Sequence, residues 1–549
     1  MNEQYFTNLN GYLVKDGKAI HTYENVNSMK SDTTIREGTH IKTKGYYSVN
    51  DGGSGEYVIV DDDTLVSDNG LIHTLTNGLK AVLISEEIYP ELCGAKGDGT
   101  TDDTNAIQTA INTANTKGVP LNLGTRTYLI TEPLTVYSNL EINGNNAIIK
   151  TNSNINMITT NSVVDHVYLH NFRLMGANDI TYTDNIGIKI TAYYSKFQDL
   201  IISNCYTSIS METTGATGTL VENRYINLRC SNYCKYGLYI GVSGNNKLTD
   251  GFINNLICNG NSNSTESSIV GLVIGSAAGY NINGLHFYGK NTRAMVLSNS
   301  YNSNISNVYI EGFEIDGKGI YLSATQIGVN LSNVFINHNK TDSTGDAIYA
   351  EMSTYLPSFS HIGNLSNIRI NRGSSTNGKS IKIVGAKFNA ENIAIAGETR
   401  TIENDCTGIL YSSKGIIKVN DSTIETKEGS TLFSKFSGYL DKGITPTTTS
   451  FTYQIPVSSF DYSNDIAMLE IKGVGGVNHI GSIKIFNSFI KIVKTSSGFS
   501  ADIKVLNNDI FTADPTVSID STGLLTVTCE VISSVYATLF CNYYQKRDN

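Results

Sequence analysis

The sequence predicts an all-β protein built on a parallel β-helix, and three observations predict it. A short phrase recurs: SNVYIEG from Ser306, SNVFINH from Ser332 and SNIRINR from Ser366. Its first apolar residue returns at Phe172, Leu200, Leu228 and Leu256, each 28 residues after the last. It then returns at Leu285, Val308, Val334, Ile368 and Ile393, in steps of 29, 23, 26, 34 and 25. Coil length drifts while the phrase persists, as in a solenoid whose loops vary while its stacked strands do not. Composition agrees: 50 Gly, 32 Tyr, 7 Pro and no Trp suit many short strands joined by turns, and suit a helical bundle poorly. A leucine-rich repeat array would need L-x-x-L-x-L and a helix in each repeat, and neither is present.

The totals set outer limits. A chain of 549 residues exceeds one compact core, so several units are expected. With 40% hydrophobic and 16% charged residues the chain is globular rather than disordered. A formal net charge of −10 argues against a nucleic-acid partner. The N-terminal MNEQYFTNLNGYLVKDGKAI has no apolar h-region, so no secretion signal is expected. No window reaches 18 apolar residues, so no membrane insertion is expected. The Cys residues at 93, 205, 230, 234, 258, 406, 529 and 541 form no CxxC pair. They read as buried free thiols, and neither a metal site nor a cofactor is expected.

Taken in order, residues 1–88 read as a small N-terminal module. CGAKGDGTTDDTNAIQTAINTANTKG follows, from Cys93. Asp103 is an N-cap there, Ala106, Ile107, Ala110, Ile111 and Ala114 fall at helical spacing, and Gly118 closes the helix. Such a helix, near 103–117, would plug the open end of the solenoid and cover its edge strand. The Asp98, Asp102 and Asp103 cluster reads as capping and turn chemistry rather than a metal site.

Residues 89–435 form the solenoid. Before each apolar residue of the phrase stands Asn171, Asp199, Asn227, Asn255, Gly284, Asn307, Asn333, Asn367 or Asn392. These residue types tolerate the left-handed conformation a sharp corner needs, and stacked amides can bond along the coils. Two inward apolar positions then flank one outward residue. A second strand in each coil reads GIKIT, GLYIG, GLVIG, GIYLS, AIYAE and SIKIV. Right-handedness follows from the general preference for right-handed parallel crossovers. SKGIIKVNDSTIETKEG, Ser413 to Gly429, reads as the last coil. From about Leu440 alternating strands with ordinary turns predict a β-sandwich over 436–549.

Two stretches carry a family resemblance. GAKGDGTTDDTNAIQTAI, Gly94 to Ile111, resembles the opening signature of pectate-lyase-like β-helix proteins. ENVNSMKSDTTIREGTHIKTKGYYSVNDGGSGEYVIVD, Glu24 to Asp61, resembles the module placed before it in bacteriophage tailspikes and tail appendages. The resemblance implies a homotrimer whose residues 1–88 attach to phage tail or collar proteins. It implies that 436–549 trimerise the chain or bind glycan; since an apolar solenoid end needs covering, a structural cap is the alternative. The implied location is the virion tail, acting outside the host cell at its surface. Fold does not fix chemistry, and lyases, hydrolases, esterases and plain binders share this one.

Used as a ruler, the coils place His286, Tyr288, Tyr309, Glu311, Phe335, Asn337 and Arg369 on one outward patch. Aromatic rings among acids and amides suit a sugar chain; an inter-subunit face is the alternative. The second strand adds outward Tyr321, Tyr349 and Glu351, with Asp342 and Asp346 nearby. Glycoside hydrolysis takes two carboxyls about 5–5.5 Å apart for retention or about 6.5–9.5 Å for inversion. The candidate acids are Glu311, Glu314, Asp316, Asp346 and Glu351, within one chain or across chains. A lyase would use His286 or Tyr309 as base with Arg369 stabilising the enolate. A teichoic-acid phosphodiesterase would use acids with His338 or a metal. The expected function is a tailspike that recognises and depolymerises a bacterial polysaccharide or wall teichoic acid, by hydrolysis rather than elimination. The alternative is a non-catalytic receptor-binding appendage of the same fold. A cellular pectate lyase is disfavoured, since the Glu24–Asp61 module would be superfluous there.

Overall fold

The computed structural model describes residues 18–213, 219–241, 247–275, 278–338, 343–351, 363–372, 378–384 and 387–396. It also describes strand segments at 6–7, 13–15, 402–404, 409–411, 417–419, 424–426, 450–456, 466–477, 483–495, 498–508, 514–520, 524–530 and 535–544. The chain divides into two compact units, Met1–Phe252 with Asn263–Thr265, and Ile253–Ser262 with Glu266–Asn549.

The first unit opens on a seven-stranded, mostly antiparallel sheet. Its strands His40–Thr43 and Glu56–Val60 alternate buried and half-buried residues, the signature of a sheet with one covered face. Helix α1 (Val26–Ser31) begins with a capping box between Asn25 and Ser28. Arg126 ties this module to the coils: it donates to Asp51 O at 2.6 Å and Lys96 O at 3.0 Å, and pairs with Glu91 at 2.9 Å.

Helix α2 runs Thr104–Lys117 and ends at Gly118 with φ 65°, as its spacing predicts. Its Ile107 and Ile111 share one apolar space with Leu121, Leu134, Ile142 and Phe172. Burial of each isoleucine contributes about 1.5–3 kcal/mol, and the helix closes the first coils of its unit. Asp103 stands at the N-cap position, but its carboxylate does not cap the helix. It instead accepts the backbone N–H groups of Lys96 at 2.7 Å and Gly97 at 3.0 Å. Thr104 N–H is taken by Asp102 at 3.0 Å, and Asp98 binds Thr100 and Thr101 N–H, both at 2.7 Å. The acidic cluster is therefore spent on turns. No group of His, Cys, Asp and Glu able to hold a metal occurs among the described residues.

The coils of both units are parallel and in register. In the first unit Tyr168, Leu169 and His170 face Lys196, Phe197 and Gln198, and Ile201 faces Arg229. In the second, His286, Tyr309, Phe335 and Arg369 form one continuous row. The coils of each unit form a parallel β-helix.

Its corners are those the repeated phrase predicts. Asn171, Asp199, Asn227, Asn255, Gly284, Asn307, Asn333 and Asn367 all have φ between 51° and 72°. The amides also bond from coil to coil: Asn367 donates to Asn333 at 3.1 Å, and Asn333 to Asn307 at 3.2 Å. Where Gly284 replaces the amide, the preceding Asn283 accepts from Asn307 at 2.6 Å. The flanking apolar pairs, such as Val308 with Ile310 and Val334 with Ile336, are fully buried. Cys93, Cys205, Cys230, Cys234 and Cys258 are buried thiols, as expected.

Beyond the coils the described strands form two antiparallel sheets, one of three strands and one of four. No helix among the described residues is long and apolar enough to cross a membrane.

Candidate functional site

The second unit gathers the chemistry onto two strand faces and the corner between them. The first face carries Asn281–Gly289, Asn304–Ile310, Asn330–Asn337 and Gly363–Asn371. Parallel in-register strands place equivalent side chains one strand spacing apart, about 4.8 Å, which is ring-stacking distance. His286 stacks on Tyr309 with centroids 4.8 Å apart, and Tyr309 on Phe335 at 5.4 Å with planes 6° apart. Arg369 lies over Phe335 at 5.6 Å. The sequence placed these residues together as a platform for sugar faces. In the structure the ring faces are spent on one another, and the row offers edges and polar tips instead. His286 Nε2 lies 2.9 Å from Glu311 Oε1, and its ring lies 5.2 Å from Tyr288. Asn371 donates to Asn337 at 3.0 Å, so those amides belong to the coil ladder.

The second face carries Arg293–Tyr301, Lys318–Ile327, Asp346–Glu351 and Ile381–Val384. Its register makes a column of Arg293, Lys318 and Asp346 beside a column of Val296, Tyr321, Tyr349 and Lys382. The Tyr321 and Tyr349 rings stack at 5.3 Å with planes 7° apart. Arg293 lies 5.4 Å from the Tyr321 centroid, Lys318 lies 5.3 Å and 5.0 Å from the two centroids, and Lys382 lies 5.5 Å from that of Tyr349. Burial, and then the Arg293 charge, lower the Lys318 pKa. Tyr321 donates to Glu351 at 3.0 Å. Burial first, and the Glu351 carboxylate after it, raise both tyrosine hydroxyls above their ordinary value.

Four of the five candidate acids lie around the corner joining the faces. Glu311 follows the Asn304–Ile310 strand, Glu314 and Asp316 occupy the turn, and Asp346 opens the second-face strand of the next coil. Backbone bonds stack these turns: Glu314 N–H reaches Asn291 O at 2.7 Å, Gly345 N–H reaches Ile315 O at 2.7 Å, and Asp346 N–H reaches Gly317 O at 3.1 Å. Burial raises the Asp346 carboxyl pKa, against the lowering effect of the Lys379 N–H it accepts at 2.9 Å. Asp316 is exposed. Glu351 stands apart: it and Asp346 sit at opposite ends of one six-residue strand. At about 3.3 Å per residue their Cα atoms are roughly 16 Å apart, beyond either glycosidase spacing.

His338 is no surface group. It is fully buried, stacks on Phe313 at 3.6 Å, accepts the Phe313 N–H at 3.4 Å and bonds Ser343 at 2.6 Å. An imidazole so enclosed holds its coil together and is withdrawn from the candidates. Asp342 lies outside the described residues. Arg293, Lys318 and Lys382 escaped the sequence reading. Aligning RAMVLS, KGIYLS, DAIYAE and KSIKIV residue by residue would have put them beside the tyrosines.

Residues 92–308 match a family model described as rhamnogalacturonase A/epimerase, pectate lyase-like. No curated protein matches the chain. Among solved structures, the chain is similar to the tailspike of Acinetobacter baumannii phage AM24, with 11% identity over 96% of this chain and 94% of that one, TM-score 0.46. It is similar to tailspike protein 2 of an Escherichia coli O157:H7 bacteriophage, with 12% identity over 98% and 81%, TM-score 0.46. It is also similar to gp49 of A. baumannii bacteriophage Fri1, described as a capsular polysaccharide depolymerase, with 8% identity over 95% and 98%, TM-score 0.41.

Proposed function

We propose that the chain is a phage tailspike that binds a bacterial surface glycopolymer, capsular polysaccharide, exopolysaccharide or wall teichoic acid, and cleaves it. It acts at the host surface as a homotrimer, with residues 1–88 attached to the tail or collar and 436–549 trimerising the chain or binding glycan. The pectate-lyase-like match over 92–308 and the resemblance of the Glu24–Asp61 module support the class. The observation that carries the enzymatic reading is the corner whose stacked turns carry Glu311, Glu314 and Asp316 on one coil and Asp346 on the next, beside a face of stacked tyrosines and cations.

Hydrolysis is the proposed chemistry. Asp346, whose burial favours the protonated form, is the general acid that protonates the leaving oxygen. Asp316, exposed on the adjoining coil, is the carboxylate that serves as base or nucleophile. Glu351, fixed by Tyr321, grips sugar hydroxyls at the far end of the face. One observation favours a second reading, elimination. His286 is held by Glu311 at 2.9 Å, as an oriented base would be, and Arg369 lies along the same row.

The test is mass spectrometry of products after incubation with purified surface polymers. Reducing oligosaccharides support hydrolysis at Asp346 and Asp316. Unsaturated uronides move the chemistry to His286 and Glu311. Glycerol- or ribitol-phosphate fragments assign a phosphodiesterase. Binding without products overturns the enzymatic reading and leaves a receptor-binding appendage.

A further inference from the structure

Three residues of the first unit break the rule that left-handed positions follow in this chain. Among the described residues, every non-glycine residue with positive φ is Asn or Asp except His166, Tyr194 and Glu222, at φ 51°, 49° and 58°. The three exceptions stand in one column. His166 N–H reaches Tyr193 O at 3.3 Å, Tyr194 N–H reaches Val221 O at 2.9 Å, and Glu222 N–H reaches Thr249 O at 3.1 Å, so they occupy one corner on successive coils. Asp250, with φ 55°, continues the column. Asn or Gly would take such a corner with less strain, and Tyr194 has no short polar group to bond its own backbone there. Strain that the surrounding ladder holds in place points to a use for the side chain.

These side chains meet solvent. Tyr194 is 45% exposed, and His166, Glu222 and Asp250 are exposed as well. The His166 and Tyr194 rings lie 5.5 Å apart with planes tilted by 37°, and Tyr193 lies 5.1 Å from Tyr194 at 57°. The second unit's rows, with planes 6° and 7° apart, cover one another's faces; rings splayed like these leave faces open. Phe252, also exposed, follows Asp250 by two residues and lies 5.6 Å from Arg224. Tyr194 and Phe252 are two coils apart, about 10 Å along the axis. We propose that this corner is a second glycan-binding site, which holds a sugar chain without cleaving it. The inference rests on the reading of the chain as a glycopolymer-binding tailspike, and adds to it a site made wholly of first-unit residues. Open ring faces take the apolar faces of sugars, and Glu222, Asp250 and Arg224 between them bond hydroxyls. Asp165, whose hydrogen bond from Ser138 lowers its pKa, is an acceptor there and not an acid. Protein interfaces deplete charged residues at their centre, so rings alternating with charges fit a polyhydroxylated chain better than a second protein. A second foothold on one polymer raises retention through effective concentration.

The test measures retention of the full-length protein on immobilised capsular polysaccharides, exopolysaccharides and wall teichoic acids, with released products followed in parallel. Tyr194→Asn installs the residue type that the other corners use, and Phe252→Ser removes the second exposed ring. The expected result is a Tyr194→Asn protein that melts no lower than the wild type, yet whose retention on the polymer the wild type holds falls about tenfold. Phe252→Ser should weaken retention in the same direction. On a short oligosaccharide of that polymer both variants should keep kcat, while KM on the whole polymer rises.

Retention undiminished in both variants overturns the inference; if the polymer is still cleaved, the depolymerase reading survives. Retention that depends on Tyr194, with no polymer cleaved, has the opposite meaning. Retention intact with subunit assembly weakened in Tyr194→Asn assigns the corner to a protein interface and overturns the inference. A lower melting temperature in Tyr194→Asn makes Tyr194 a packing residue and overturns it too. No retention of any polymer by the wild type overturns both readings.

Discussion

The hydroxyl of Tyr321 donates to the carboxylate of Glu351 on the neighbouring coil at 3.0 Å, and the rings of Tyr321 and Tyr349 stack between the same two coils. One carboxylate is thus oriented by a residue some 30 positions earlier in the chain, through nothing more than strand register. Tyr321→Phe keeps the stack and deletes the bond. The expected outcome is a KM about tenfold higher with kcat unchanged, since a bond to a charged group is worth roughly one decade or more. Steady-state release of reducing ends measures it. A collapse of kcat instead would place Glu351 in the chemistry.

Asp346→Asn is expected to lower kcat by about 10²–10⁴-fold, the usual worth of a general acid, with the melting temperature preserved at neutral pH. The wild-type enzyme should lose activity as pH rises through the folded-state pKa of Asp346, which burial holds above 3.8. Stability moves the same way. The folded state binds the proton more tightly than the unfolded one, so its contribution is complete below 3.8 and is lost as pH rises towards the folded value. In Asp346→Asn that part of the pH dependence should vanish from thermal melts.

His73 sets an opposite slope in the first unit. It is fully buried between Tyr57 and Tyr46, both ring nitrogens lack hydrogen-bond partners, and burial pushes its pKa down from 6.5 to about 4. Between those values the unfolded chain binds the extra proton, so stability falls as pH falls through that window. The difference corresponds to about 3 kcal/mol. His73→Phe should remove most of the loss, seen by comparing melts at pH 7 and near pH 4.5. Equal acid sensitivity in the two proteins would show that another group is responsible.

Asn333 has φ 54° and sits in the middle of the amide ladder, accepting from Asn367 and donating to Asn307. Asn333→Ala loses both bonds and keeps a Cβ in the left-handed region without the polar side chain that makes asparagine tolerant of it, a cost of about 2–3 kcal/mol. Asn333→Gly loses the bonds alone and should be less harmful by about 1 kcal/mol. Denaturant melts rank the two. An alanine variant as stable as the glycine one would mean that backbone conformation does not govern this corner.

The coils were legible because two simple periods coincide in the phrase, alternation along the strand and one left-handed residue per coil. Asn307 and Val308 could be placed from the sequence because neighbouring coils repeat the same solution. Adjacency across coils was legible too, which is why His286, Tyr309, Phe335 and Arg369 were grouped correctly. What the rings do to each other was not. Outward alternation says that a ring leaves the core, but only strand spacing says that its face meets the next ring. Arg293 was missed because Val296 occupies the tyrosine column in that coil, hiding the alignment of its strand with GIYLS, and Lys318 because it stands one residue before that phrase. His338 looked accessible because it ends a polar phrase, yet stacking on Phe313 draws it inside.

The amide ladder also has a direction. In the pairs from Asn307 to Asn283, Asn333 to Asn307 and Asn367 to Asn333, the donor belongs to the later coil and the acceptor to the earlier one. The second row repeats this, from Asn330 to Asn304 and from Asn364 to Asn330. A finished coil therefore displays carbonyl groups to which the next can dock, in the order in which a ribosome delivers them. The solenoid can template its own growth during translation. Excising one whole turn would leave matching ends that rejoin, whereas excising a fraction of a turn would leave a seam nothing can mend.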